Sequence, residues 1–349
     1  MDAFSEARYP VPLISPIFNM KQLNIGFIGV GGIAQIHFNR LTEMEGVKIS
    51  AVCDTFADRA KEVGDKFDAP SYSDYKKMIA EQQLDGCYVC IIPGVHGTTE
   101  LDLVEAGIPF FLEKPVHLEL DACQKVLDAL EKKPLINAVG YHWRYGAGVQ
   151  AAHNFMKDKT ASYLEGHWYG GFVGAPWWRQ MELSGGQLVE QTTHIVDMAR
   201  FVAGEVKTVY AAGSTGAMTD KENYDIHDVS IATMKFESGA VGNIVSGCIA
   251  EKHGADEMGL TVKGRNFHVT ARENSASWES ENDTGEVNTP PRHKYLHNSG
   301  DDAFIEALQT GNQDVILSDY RSGVQTLAIT LAANESMENG KEIEVRRFV

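Results

Sequence analysis

No stretch of this chain approaches the roughly 20 consecutive apolar residues that a membrane-spanning helix needs, so a spanning segment is not expected. Basic residues are scarce: 31 Lys and Arg stand against 48 Asp and Glu, for a formal net charge of −17. Such a surface repels phosphate backbones and anionic lipid, which argues against nucleic-acid and membrane partners. Cysteine is limited to Cys53, Cys87, Cys90, Cys123 and Cys248. An odd, scattered set is no disulfide framework and suits a reducing cytoplasm. Cys87 and Cys90 have redox spacing, but lie in an apolar run that reads as a buried strand. No His, Cys and Asp cluster has metal-ligand spacing, so no metal is expected. Internal repeats and low-complexity segments are also lacking.

What is present is a well-filled interior. Apolar residues make up 43% of the 349 positions, enough for two domains with cores rather than a disordered chain. Residues 1–22 carry early acids, Asp2 and Glu6, and prolines at 10, 12 and 16, which is not a signal-peptide pattern. They read either as an extended arm or as sequence ahead of a start at Met20.

From residue 23 to about 140, short apolar runs alternate with helical periodicity. Strands are expected at 24–30, 47–53, 84–92, 110–112 and 135–139, with helices between them. That alternation implies a parallel, doubly wound α/β sheet, whose ligands bind beyond the carboxyl ends of the strands. Gly29, Asp54, Pro93, Glu113 and Lys114 all fall at such ends. After residue 140 the texture changes to α+β. Strands are expected at 161–172, 206–213, 226–236, 240–248, 257–263 and 266–271, in an open and largely antiparallel sheet covered on one face. One long helix at 186–203 interrupts them, further helices lie at 148–157, 301–310 and 319–338, and residues 273–300 read as a long polar loop.

The turn Gly29-Val30-Gly31-Gly32-Ile33-Ala34 follows the first strand and opens a helix. Gly29 suits a tight bend, Gly31 lets backbone approach a pyrophosphate, and Ala34 takes the packing position. Asp54 follows 20 residues after Ala34, where a carboxylate accepts from a ribose 2′-hydroxyl and repels a 2′-phosphate. NAD is therefore favoured over NADP. Arg59 is near in sequence but a turn into the next helix, which tempers that preference.

In Glu113-Lys114-Pro115, proline biases Lys114 away from the α region and holds it at a strand end. A lysine beside a nicotinamide can stabilise a developing alkoxide. Glu113 has two readings, a hydrogen bond on the nicotinamide side or an ion pair with Lys114. On the expected helix 186–203, Glu190, His194 and Asp197 share one face at 100° per residue. His194 has the pKa range of a base at neutral pH, and Glu190 stands either to orient it or to bind a neighbouring substrate hydroxyl. Trp168, Trp177, Trp178 and Arg179 flank a Gly/Pro-rich loop and suit a sugar ring or a core equally. His293, Tyr295 and His297 lie in the long loop.

Together these segments resemble the Gfo/Idh/MocA family, named for glucose–fructose oxidoreductase and inositol dehydrogenase. The likeness runs over nearly the whole chain from Leu23: the glycine turn, Glu113-Lys114-Pro115, and the Gly185-Gly186 helix with an acid and then a histidine. His96 after Pro93 matches a family position near the nicotinamide. Tyr141-His142-Trp143-Arg144-Tyr145 matches the crossover into the second domain, with Trp143 where the family often has arginine.

The resemblance implies that Lys114 and His194 carry the chemistry. Glu190 stands where inositol dehydrogenases usually have aspartate. Tyr141, Trp143 and Arg144 of the crossover join the expected substrate set, and Trp178 and Arg179 are added to it on their residue types alone. The resemblance further implies an NAD-dependent dehydrogenase acting on a ring hydroxyl of a sugar, glycoside or cyclic polyol, and a homodimer or homotetramer formed through the second-domain sheet. Two rivals stay open: a glycosidase or lyase that oxidises transiently and eliminates, and a non-catalytic NAD or sugar sensor.

Overall fold

A computed structural model describes residues 21–255, 258–289 and 299–348. The expected arm at 1–22 therefore lies outside the described residues up to residue 20, as do His293, Tyr295 and His297. The first sheet consists of β1 (Leu23–Ile28), β2 (Val47–Cys53), β3 (Ser71–Tyr72), β4 (Gly86–Val89), β5 (Phe110–Leu112) and β6 (Asn137–Val139). All pair in parallel, in the order β3-β2-β1-β4-β5-β6. Helices α1 (Gly32–Leu41), α2 (Ala57–Phe67), α3 (Tyr75–Glu81), α4 (Thr99–Ala106) and α5 (Leu120–Lys132) connect them. The chain reverses direction across the sheet between β1 and β4, the switch point where a doubly wound sheet opens a ligand crevice.

One face of this sheet buries an aromatic ladder, in which Phe27, Tyr88 and Phe111 stack on one another. Phe304 meets Tyr88 and Phe111 edge-on. Phe304 comes from α10 (Ser299–Thr310), so a helix from the C-terminal part of the sequence closes the first sheet. Each such side chain contributes roughly 1.5–3 kcal/mol by leaving water.

The crossover leads through α6 (Ala147–Met156) into a nine-stranded mixed sheet, ordered β14-β13-β12-β11-β7-β10-β9-β8-β15. Its strands are β7 (Tyr163–Gly171), β8 (Val206–Ser214), β9 (Val229–Phe236), β10 (Val241–Ala250), β11 (Gly259–Gly264), β12 (Phe267–Ala271), β13 (Ser275–Ser280), β14 (Thr284–Asn288) and β15 (Ile343–Glu344). Only β7 and β10 run parallel. Strand β9 alternates strictly between buried and solvent-facing positions, as one covered face requires. Its inner face packs on α6, α9 (Thr193–Ala203) and α11 (Tyr320–Asn339), in an apolar core continuous with the first sheet.

Two expectations fail here. The long helix expected at 186–203 is two pieces, α8 (Gln187–Glu190) and α9, and a separate short helix, α7 (Met181–Ser184), precedes them. Gly185 and Gly186 have φ of +74° and +85°, left-handed values that end α7 and reset the chain direction. A second break at Gln191 and Thr192 separates α8 from α9. The polar stretch beginning at 273 is not a loop throughout, because β13 and β14 form a hairpin on the sheet edge. Its serines and threonine hide the strand pattern, while Trp278 packs beside Phe155 of α6.

Candidate active site at the strand ends

The cofactor side is built by the turn after β1. Gly29 has φ of +85°, and a Cβ there would lie 2.3 Å from the Cys90 carbonyl oxygen, so only glycine fits. Cβ atoms at Gly31 and Gly32 would meet nothing within 4 Å. Helix α1 starts there without a side-chain cap, leaving its first N–H groups free for an anion. Ile33 lies half-exposed beside them and Ala34 is buried beneath. Pro93 is buried in the short turn after β4.

Asp54 closes β2 and is nearly buried. Its Oδ2 accepts from the Val30 N–H at 3.0 Å, and its Oδ1 from the Phe56 N–H at 2.9 Å. Arg59 reaches back across its helical turn and grips both oxygens, at 2.9 and 2.7 Å. Burial pushes this carboxyl up, but the hydrogen bonds from Arg59, Phe56 and Val30 outweigh it and hold the pKa below the usual carboxylate range. Open glycines, an uncapped helix start and an ionised acid at the ribose position all fit a bound dinucleotide.

The chemical side joins the two domains. Lys114, after β5, donates from Nζ to Glu190 Oε1 at 2.7 Å and to the Glu190 carbonyl at 2.8 Å. Glu190 Oε2 accepts from Trp178 Nε1 at 2.6 Å. His194, 4% exposed, makes no bond to that carboxylate, and its Nδ1 is buried without a partner. Around it stand the rings of His142 at 4.8 Å, Trp168 at 5.7 Å, Tyr141 at 6.0 Å and Trp143 at 6.1 Å. Burial, then the neighbouring His142 and Lys114, push its pKa well below the ordinary imidazole value, so His194 is neutral.

Other expected site residues turn elsewhere. Glu113 sends Oε1 to within 3.2 Å of His37 Nε2, while its Oε2 accepts the Lys114 N–H at 3.2 Å. Neither His37 nor the Lys114 backbone is an expected partner of this carboxylate. Asp197 follows His194 by three residues on α9, so the break at Gln191 and Thr192 parts both of them from Glu190 on α8 and not from each other. Asp197 is instead held by Arg144 in a buried two-pronged pair at 2.7 and 2.6 Å. Arg144, expected at the substrate, also donates to the Leu317 carbonyl. Tyr141 is buried, with its hydroxyl 2.9 Å from Thr193 Oγ1. His96 is buried, with Nδ1 2.6 Å from Glu100 Oε1. Arg179 is half-buried beside Trp178, with Nε unpaired.

Sequence reasoning missed His37 and Asp301. His37 lies on the inward side of α1, a signal available from periodicity, but its partner Asp301 is 264 residues away.

Residues 23–141 match the family model described as an oxidoreductase family with an NAD-binding Rossmann fold, GFO_IDH_MocA. Residues 162–345 match the model of that family's C-terminal alpha/beta domain. Among curated proteins, an uncharacterized oxidoreductase, YrbE, of Bacillus subtilis (strain 168) is 26% identical, over 93% of this chain and 97% of its own length. Myo-inositol 2-dehydrogenase of Thermotoga maritima is 25% identical over 94% of this chain and 100% of its own. The fold is shared with the WlbA dehydrogenase from Bordetella pertussis, solved with NADH and UDP-GlcNAcA. That likeness has a TM-score of 0.82 at 19% identity, over 94% of this chain and 100% of that one. It is also shared with a levoglucosan dehydrogenase solved with NADH and L-sorbose, at a TM-score of 0.81 and 20% identity, with the same coverage.

Proposed function

This chain belongs to the Gfo/Idh/MocA oxidoreductase family, and on that footing we propose that it oxidises a ring hydroxyl of a sugar, glycoside or cyclic polyol with NAD. The observation that carries this reading is the meeting of Lys114, from the dinucleotide sheet, with Glu190 from the second domain. That meeting lies beside a neutral His194 whose Nδ1 has no partner. The relatives named inositol 2-dehydrogenase and the NADH-bound sugar dehydrogenases support it.

In this reading His194 takes the hydroxyl proton. A neutral imidazole with no carboxylate on Nδ1 is free to accept it. Lys114 donates to the same hydroxyl oxygen and stabilises the alkoxide charge as it grows, a role suited to a partly buried ammonium. Glu190 keeps that ammonium aligned. A bound NAD would supply the hydride acceptor for the carbon-bound hydrogen. Asp54 favours the ribose 2′-hydroxyl of NAD over the phosphate of NADP. Gly31, Gly32 and the start of α1 would hold the pyrophosphate.

The outer face of the second sheet leaves Tyr210, Ile231 and Val241 about half exposed on three adjacent strands. We assign this face to contact with a second copy of the chain, as a dimer or as part of a tetramer. The five cysteines are free and buried, which suits the cytoplasm.

The test is incubation with NAD and a panel of cyclic polyols, pyranoses and glycosides. NADH formed one-for-one with oxidised product is expected. Product without NADH assigns the elimination chemistry instead, and binding without turnover at any pH assigns a sensor.

A further inference from the structure

Glu190 has no free carboxylate oxygen. Lys114 occupies Oε1 at 2.7 Å and the Trp178 indole occupies Oε2 at 2.6 Å. Trp178 is only 1% exposed and lies in the Gly/Pro-rich segment between β7 and α7. It forms a small apolar cluster with Ile226 and Cys248, flanked by Trp168, Met181 and Tyr224. An indole N–H only donates. Buried here, it has no water to turn to, and its partner is a charge, which makes the bond a strong one.

The carboxylate could have had another partner. His194 follows four residues later, and a continuous helix would have set the two side chains side by side. Instead the chain breaks after Glu190, and the longer glutamate arm delivers its carboxylate to the indole. His194 Nδ1 stays buried and unpaired.

We propose that Trp178 is a positioning residue: its indole N–H holds the Glu190 carboxylate on Lys114 and off His194, leaving the imidazole without a carboxylate partner. The assignment rests on the dehydrogenase reading above for its effect on turnover, but the clamp itself does not. Catalysis then needs two separate groups, a lysine with its counter-charge and a free base, where a histidine–carboxylate dyad would merge them. The same clamp ties the 172–180 segment to the chemistry, because packing of Trp178 and alignment of Lys114 depend on one bond.

A double-mutant cycle tests this with Trp178→Phe, Glu190→Gln and the two combined, on the best substrate found for the wild type. Losing a buried hydrogen bond to a charge corresponds to a drop of about ten- to a hundredfold in kcat, with KM for NAD unchanged. In the Glu190→Gln background, Trp178→Phe should cost no more than about twofold, since little charge is left to hold. Equal losses in both backgrounds overturn the proposal.

A second readout needs no substrate. The chain has five tryptophans, and isotope-labelled indoles give one nuclear magnetic resonance signal each. One strongly downfield indole proton should vanish in Trp178→Phe and move upfield in Glu190→Gln. An unmoved signal in Glu190→Gln overturns the clamp. A wild type that oxidises nothing while this signal behaves as expected overturns the dehydrogenase reading alone.

Discussion

Glu113 Oε1 lies 3.2 Å from Nε2 of His37, and the other ring nitrogen of His37 is 2.8 Å from Asp301 Oδ1. All three side chains are buried. Helix α1, the strand end that carries Lys114, and α10 are therefore joined by a line of charge beneath the cofactor edge. Burial pushes the His37 pKa down, but Asp301 outweighs it and raises the value well above the ordinary one. Burial pushes Glu113 up, but His37 and then Lys114 outweigh it and hold it low. The ring is an imidazolium between two carboxylates.

His37→Leu should thus cost about 3–5 kcal/mol, since it leaves two buried carboxylates without their cation. The pH dependence has a definite sign. The His37 contribution is fully present below its unfolded pKa of about 6.5 and is lost as pH rises through the raised folded value. The Glu113 contribution runs the other way, present above about 4.3 and lost in acid. Urea unfolding of wild type and variant should differ most between about pH 4.3 and 6.5 and converge as the solution becomes alkaline. A gap that stays constant into alkali would mean that the ring is neutral.

Lys114→Ala should lower kcat by about 10²–10³-fold, the range for removing one donor to a developing oxyanion. Affinity for NAD should stay within a few-fold, because the glycine turn and Asp54 are untouched. Fluorescence titration with NAD and initial rates separate the two effects. Turnover near wild type in a folded Lys114→Ala protein rejects the role given to the ammonium.

His194→Asn should lower kcat by about 10²–10⁴-fold, as for other positioned bases. Because its pKa lies well below the ordinary imidazole value, the base form is populated throughout the neutral range. The wild-type profile of kcat/KM should be flat there and bend down only in acid, below about 6.5. A limb centred above that value would point to a different base.

The sequence made the dinucleotide half of this site legible because its signals are local. Gly29, Asp54 and Lys114 each end an apolar run, and a parallel sheet lines up such ends whatever lies between. The other half depends on relations that periodicity cannot carry. Glu190, His194 and Asp197 share one face only if the helix is unbroken, and the break at Gln191 and Thr192 leaves Glu190 on a separate helix from the other two, with Asp197 paired to Arg144. Trp178 is 12 residues from Glu190, yet their bond depends on how a loop folds back over the sheet. Asp301 meets His37 across 264 residues, and nothing short of the packed α10 could have paired them. The β13–β14 hairpin was hidden for another reason: its strands are short and polar and gain their stability from the sheet edge they extend.

The grip of Arg59 on Asp54 bears on cofactor choice. The acid disfavours a 2′-phosphate by its charge, while the arginine that could bind one is held by that same acid. Asp54→Ala removes the repulsion and frees the guanidinium, whose fork matches a phosphate. The ratio of kcat/KM for NAD to that for NADP should fall by about a hundredfold, mostly through a lower KM for NADP. In Asp54→Ala/Arg59→Ala the gain with NADP should vanish, although the repelling carboxylate is still gone. Steady-state kinetics with both cofactors on the three variants decide it. If Asp54→Ala weakens NAD and NADP alike, Asp54 serves the fold of the turn through Val30 and Phe56, not the choice of cofactor.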